Sequence, residues 1–322
     1  MSRKRLTLLL LAVFLGLAGS ATAQQWPSRP VRLIVPFPPG GGTDIIARQI
    51  ANHLAETLKT PFIVENRTGA GGIIGSDMVA KAAPDGYTLL FGTTGPLVSV
   101  KYMSPKLPFD PLKDFVPVAL IAEVPIVVMV NSKTPIHSFR ELLEQARAKP
   151  GALSYASPGP ATTGHIGGEW LNKLTGISLT HVPYRGSAPA AVDVVAGHVP
   201  LAVDSLINFM PHIRSKEIRV LAVATRDRFR LLPDVPTTRE LGVDMQISLW
   251  FAIAAPAATP RDIVVRLNRE INAYVNQPAF EKLLEPLAAQ PLSGSVDDAQ
   301  RYIGAEAERW RKMIESTGIT VN

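Results

Sequence analysis

The sequence predicts an α/β protein of two lobes, and three observations carry that expectation. Its 322 residues suit two domains at roughly 150 residues each. Short apolar strand runs alternate with amphipathic helices, the signature of a parallel sheet covered on both faces. A proline- and glycine-rich loop joins strand to helix once in each half. With 46% hydrophobic residues and no glycine period, the chain is neither disordered nor collagen-like. It has no cysteine, which removes disulfides, thiolate zinc sites and cysteine nucleophiles; two ordinary cores are expected to hold it without staples.

The first residues read as an address. Arg3, Lys4 and Arg5 precede an apolar run from Leu6 to Ala18, and Ala21-Thr22-Ala23 supplies a small-x-small cleavage pattern. About 13 apolar residues are too few to span roughly 30 Å of hydrocarbon, so export with cleavage after Ala23 is expected rather than an anchor. Cleavage removes three positive charges and no negative one, halving the net charge of +6. No arginine-rich run with interleaved aromatics follows, so the basic balance does not point to nucleic acid.

From Val31 the chain reads strand (31–35), glycine loop, and a helix over 44–59 whose Ile46, Ile50, Leu54 and Leu58 draw one apolar stripe. A strand over 62–65, a second glycine loop, a helix over 73–82 and a strand over 87–91 complete the first unit. A proline-spaced passage (95–117) leads to two separate apolar runs, 118–122 and 126–130. The alternation resumes with helix 138–149, strand 153–156, helix 163–175 stopped by Gly176, and strand 178–182. Helix 189–196 stopped by Gly197, strand 200–203, helix 206–215 and strand 219–224 follow. The apolar segment 249–255 is expected to return to the first lobe, before helices over 260–276, 278–287 and 296–316. The lobes are accordingly placed at 24–124 with 248–322, and at 125–247.

Residues 33–44 and 153–165 echo one another, each running strand, Pro/Gly loop, Thr-started helix. Such a turn presents backbone N–H groups at the positive end of a helix, which suits an anion. Gly40, Gly41 and Gly42 permit positive φ and close approach, while Thr43 either caps the helix or donates outward. Ile45 and Ile74 stand where the third glycine of a dinucleotide fingerprint belongs, and no P-loop ending is present, so a small carboxylate fits better than a nucleotide. Thr93 and Thr94 follow a strand and bring hydroxyls to its carboxyl end. Tyr184 either walls the ligand or is a half-buried core tyrosine. Asp204 orients a polar ligand or caps the following helix. His165, in a first helical turn, donates to an anion or is simply polar surface. Arg67 beside Glu65 reads as an ion pair. No nucleophile elbow exists, and the six histidines show no metal-ligand spacing, so no catalytic residue, metal or cofactor is expected.

Three segments then carry a resemblance: Val35 to Asp44 (VPFPPGGGTD), Glu65 to Gly75 (ENRTGAGGIIG) and Ala83 to Leu90 (APDGYTLL). With Tyr155 to Gly159, Gly164-His165, His181 to Gly186 and Gly197 to Asp204, they resemble the Bug family over the whole mature chain. These are the extracytoplasmic solute receptors of tripartite tricarboxylate transporters. The resemblance implies a type II periplasmic-binding-protein fold, a location in the periplasm, a monomer, and a membrane permease as partner. It implies a carboxylate ligand (dicarboxylate, tricarboxylate, amino acid or aromatic acid) held by main-chain N–H groups of the loop carrying Phe37, Gly40, Gly41, Gly42, Thr43 and Asp44. Thr93 and Thr94 would flank it; the loop with Ser157, Gly159, Thr163 and His165, and the Tyr184 region, would set distal specificity, and Asp204 is a further candidate ligand residue. Members commonly carry Thr-Thr-Ser where this chain has Thr93-Thr94-Gly95, which leaves open how that loop meets the ligand. A carboxylate sensor docking to a membrane kinase, and an enzyme on the same scaffold, are the alternatives.

Overall fold

The computed structural model describes residues 26–104 and 106–319; the expected leader and its cleavage point after Ala23 lie outside the described residues. Strand β1 (Val31–Val35) pairs in parallel with β2 (Phe62–Asn66) on one side and β3 (Thr88–Thr93) on the other. Helix α1 (Gly42–Leu58) joins the first pair and buries the stripe Ile46, Ile50, Leu54 and Leu58. It begins two residues before the expected start. Helix α2 (Ile73–Ala80) leads into β3. The proline-spaced passage opens with a π-helical turn (Gly95–Ser99) and the short α3 (Val100–Met103). Pro96 sits in its first turn, where a missing N–H costs nothing.

The two apolar runs at 118–122 and 126–130 are one strand, the 17-residue β4 (Phe115–Asn131). Its first part pairs antiparallel with β9 (Ser248–Pro256), and its last six residues lie between β7 (Leu201–Ser205) and β8 (Ile218–Val223). Prolines do not break it. Pro117 lies at a register shift, and Pro125 lies where the partner changes, so neither is asked for a regular ladder bond. Helix α4 (Phe139–Ala148) leads to β5 (Ser154–Ser157), which lies parallel to both β7 and β6 (Thr180–Pro183). Between these strands run α5 (Thr163–Thr175) and α6 (Ser187–Ala196). The expected helix over 206–215 divides into a 3₁₀ turn (Leu206–Asn208) and α7 (Met210–Arg214), the latter opening on Pro211. Strand β9 does return to the first lobe, lying between β3 and β4. The chain closes with α8 (Arg261–Val275), α9 (Pro278–Leu284), the two-residue β10 (Gln290–Pro291) and α10 (Val296–Thr317).

The strand path is therefore β2-β1-β3-β9-β4-β7-β5-β6, with β8 and β10 attached to β4. The two hydrophobic cores are sorted by sheet face, not by lobe. Leu33, Val35, Val127, Met129, Phe251 and Ile253 belong to one cluster, while their neighbours Ile34, Val128, Val130, Trp250 and Ala252 belong to the other. Alternation of successive side chains across a strand produces that split. Where β4 shifts register, successive residues fall on one face instead: Val118 with Ala119, and Ile121 with Ala122. Two lobes thus share one curled sheet, and the carboxyl ends of β1 and β3 face those of β5 and β7 across a narrow gap.

Candidate functional site

A cavity of about 60 Å³ lies in that gap. At roughly 10–15 Å³ per water it holds about five, the bulk of a small organic acid. It is bounded at the ends of four strands: Phe37 after β1, Thr93 at the end of β3, Pro158 after β5, and Asp204 in β7. That is where ligands settle in parallel α/β sheets. Three helices also begin at its wall. The N-cap residues of α1, α5 and α6 (Gly41, Thr162 and Gly186) all line it, as do the first-turn hydroxyl residues Thr43, Thr163 and Ser187. Among the described residues, no lysine, arginine or histidine does.

Local sequence explains this convergence. Gly40 takes φ +81°, which turns the chain out of β1 and delivers Gly41 as the N-cap. A Cβ on Gly42 would overlap the Ile207 side chain, and its N–H donates to Asn208 Oδ1 at 3.2 Å, so the glycine loop is in direct contact with the second lobe. Thr162 caps α5 through its hydroxyl, which accepts from the His165 N–H. Gly186, at φ +121°, starts α6 against Pro38 of the glycine loop.

Of the expected ligand residues, Phe37, Gly41, Thr43, Thr93, Thr163 and Asp204 line the cavity. The others lie around it with different partners. The Gly40 N–H donates to Asp44 Oδ2 at 3.0 Å, and the Asp44 carboxylate also accepts from Arg48 at 2.8 Å and Asn66 at 2.9 Å. Burial opposes ionisation of Asp44, yet those bonds hold its carboxyl below the usual range, so it braces the glycine loop. Thr94 Oγ1 accepts from the Trp250 N–H at 3.1 Å and ties β3 to β9. Ser157, Gly159 and His165 form a layer behind the wall. Ser157 Oγ lies 2.6 Å from His181 Nε2 and accepts from the Gly159 N–H, while His165 stacks on His181 at 4.1 Å and accepts from the Ala161 N–H. Burial pushes His181 down to about 3 and lowers His165. The serine–histidine contact has the form of an activated nucleophile. Ser157, however, is wholly buried, and its oxygen is spent on the loop. Tyr184 donates to Asp193 Oδ2 at 2.6 Å and walls a neighbouring cavity of about 380 Å³, with Phe37 and Arg185. Arg67 pairs with Glu65, which Arg32 also holds.

Asp204 stands apart. It is 2% exposed, Oδ1 accepts from the Ser205 N–H at 2.7 Å, and Oδ2 has no partner. Burial pushes its carboxyl up to about 7, opposed by the neighbouring Ser187 and Ser205 hydroxyls and the Ser205 N–H. Sequence reasoning missed the N-cap residues Thr162 and Gly186 as well as Ser187, Asn208 and Leu249, which also line the cavity. A serine at a helix start after Gly186 was a usable signal; Asn208 and Leu249 carried none. Among the described residues, no group of three or more His, Asp or Glu side chains is placed to hold a metal ion, and no helix is long and apolar enough to cross a membrane.

Comparison with known proteins adds the relationship. Residues 46–319 match the family model for the tripartite tricarboxylate transporter family receptor. The chain is 38% identical over 305 residues to Protein BugT of Bordetella pertussis, covering 94% of each. Among solved structures it resembles Rpa4515 of R. palustris, determined with adipate, at 38% identity and a TM-score of 0.88, over 92% of this chain and 99% of that one. MatC from Rhodopseudomonas palustris, determined with bound malate, gives 32% identity and a TM-score of 0.85 over 90% of this chain and 100% of that one. A match across nearly the full length, in sequence and in fold alike, places the chain in the Bug family of tripartite tricarboxylate transporter receptors.

Proposed function

We propose that this receptor works in the periplasm, with its leader removed after Ala23, and captures a small carboxylate-bearing solute for a membrane permease. Residues 24–124 with 248–322 form one jaw and residues 125–247 the other. One observation carries the reading: three helix N-caps from opposite jaws meet at one small cavity that, among the described residues, no cationic side chain lines. Oriented N–H groups and hydroxyls satisfy a carboxylate there without a salt bridge. The glycine loop holds one carboxylate, and the starts of α5 and α6 face the other end of the solute. Apolar Phe37, Pro38 and Leu249 cover its middle. The adipate and malate of the related structures favour a dicarboxylate over an amino, aromatic or tricarboxylic acid. The protein acts as a monomer and returns its solute unchanged.

A thermal-shift screen over mono-, di- and tricarboxylates, amino acids and aromatic acids tests this. At one hundred times Kd a bound acid stabilises by about 2.7 kcal/mol, so a dicarboxylate should raise the melting temperature and be recovered intact by chromatography. Absence of any shift across the carboxylates, or conversion of the bound acid, would refute the proposal.

A further inference from the structure

The cavity contains one carboxyl of its own, and one of its two oxygens finds no hydrogen-bond partner among the described residues. Asp204 Oδ2 is buried without a partner, and so is the hydroxyl of Thr163, which lines the same cavity. Buried polar atoms left open at a cavity wall mark the place where an occupant supplies the missing bonds. The nature of that occupant follows from the surroundings. The starts of α5 and α6 bring N–H groups and the Ser187 hydroxyl to the same end of the cavity, which makes it rich in donors. An ammonium group needs several acceptors and finds one carboxyl. A carboxylate finds the donors, but an ionised Asp204 in so small a space would repel it.

We propose that Asp204 is protonated when a dicarboxylate is captured, and that it donates the hydrogen on Oδ2 to the solute's carboxylate nearest the second lobe. This rests on the carboxylate reading above. Capture then takes one proton from solvent for each solute that binds to an ionised receptor. No bond other than that O–H is made or broken.

The charged neighbours leave Asp204 free to play this part. On α5, His165 is kept neutral by burial and Glu169 accepts from the Tyr155 hydroxyl; His181 on β6 is likewise neutral. On α6, Asp193 is held by Tyr184 and His198, and on α1 Asp44 is held by Arg48. Residues 126–130 of β4, which run alongside, carry no ionisable group, and Arg219 of β8 donates to the Ile136 carbonyl. No charged group enters the Asp204 environment, where burial alone pushes the carboxyl up to about 7.

The expected behaviour has a definite sign. The second carboxyl of an aliphatic dicarboxylic acid titrates between about 5 and 6, so the affinity should be nearly level only between about 6 and 7. Above that, it should fall about tenfold per pH unit as the free receptor loses its proton. Succinate, adipate and L-malate, with L-glutamate as the ammonium-bearing control, are first compared by melting shift at pH 6. The strongest binder is then titrated calorimetrically at pH 8 in phosphate and in Tris, whose ionisation enthalpies differ. Uptake approaching one proton per acid, together with a falling affinity from pH 7 to 9, supports the proposal. Asp204→Asn keeps a donor and the shape, so its affinity should be level across that range. Wild-type binding without proton uptake overturns the proton linkage and leaves the carboxylate reading standing. Preference for L-glutamate, abolished in Asp204→Asn, overturns it in favour of an anionic Asp204. No shift with any of the four at pH 6 overturns the carboxylate reading and this one with it. The wild-type proton count decides the matter even if the variant fails to fold.

Discussion

Neighbouring glycines in one loop do different physical work, and the difference is testable. At Gly41 a Cβ would meet only Asn208 Oδ1 and the Pro38 carbonyl, both at 3.9 Å, and its φ of −77° suits any residue. Gly41→Val should therefore fold with nearly unchanged melting while its methyls occupy the cavity. Adipate, or whichever acid the screen selects, should bind at least about tenfold more weakly, a loss of about 1.4 kcal/mol. Unchanged affinity in a folded variant would remove the glycine loop from the site. At Gly42 the added Cβ instead overlaps Ile207 of the facing lobe. Gly42→Ala should leave an opened receptor as stable as before but weaken capture, because the jaws can no longer meet. Adding Ile207→Ala should restore part of the loss, and the double-mutant cycle measures the coupling directly. Additive effects would mean that this contact does not limit closure.

Elements with strong local signals were legible, and those decided by distant partners were not. The bounds of α5 follow from its Thr start and from Gly176, which ends it at φ +67°, and β1 is a plain buried run. Strand β4 shows in the sequence as two apolar runs, 118–122 and 126–130, with Pro125 between them. Only its change of partner from β9 to β7 reveals why a proline is tolerated there. The loops of the site could be read from their glycines and prolines, since those residues are local. Asn208 reaches the cavity through a 3₁₀ turn, and Leu249 through a returning strand, so no local pattern marks either. The same holds for the layer that ties β5, β6 and α5 together through Ser157, His181 and His165. Its effect shows in acid. His181 takes a proton below about 6.5 when unfolded but only near 3 when folded, and His165 is shifted the same way. The stability that His181 leaves intact above 6.5 is thus lost as pH falls towards 3, by about 1.4 kcal/mol per unit, and His165 adds a loss of the same sign. Between pH 6.5 and 5 the raised Asp204 carboxyl contributes a slope of the opposite sign, so the histidine effect is read by urea denaturation of the wild type against His181→Gln. The wild type should lose stability relative to the variant as pH falls; a constant difference would assign the acid sensitivity elsewhere.

At the scale of the whole molecule, one sheet runs through both lobes, so closure must bend it rather than separate two independent bodies. The bend has a place. β4 changes partner at Val124–Ile126, and there Ala224 and Ile247 cross beside it, linked by the bonds Ala224 N–H to Ile126 O (2.8 Å) and Ile247 N–H to Ala224 O (2.9 Å). Few bonds bridge the jaws on the cavity side: Gly42 N–H to Asn208, and the Ser99 hydroxyl to the Ala161 carbonyl at 2.8 Å. Each is worth about 1 kcal/mol net, so the contacts that hold the lobes together are weak unless a solute adds its own. A solute shifts the population only by touching both jaws, and the cavity offers donors from each. Small-angle scattering should therefore show a smaller radius of gyration with saturating adipate, or with the acid the screen selects, than without it. Gly42→Ala, given enough acid to saturate its weakened site, should show less compaction than the wild type, because the obstruction lies between the jaws and not in the cavity. Equal radii for the free and loaded wild type would mean that the solute enters a receptor already shut, and binding would then be limited by opening instead.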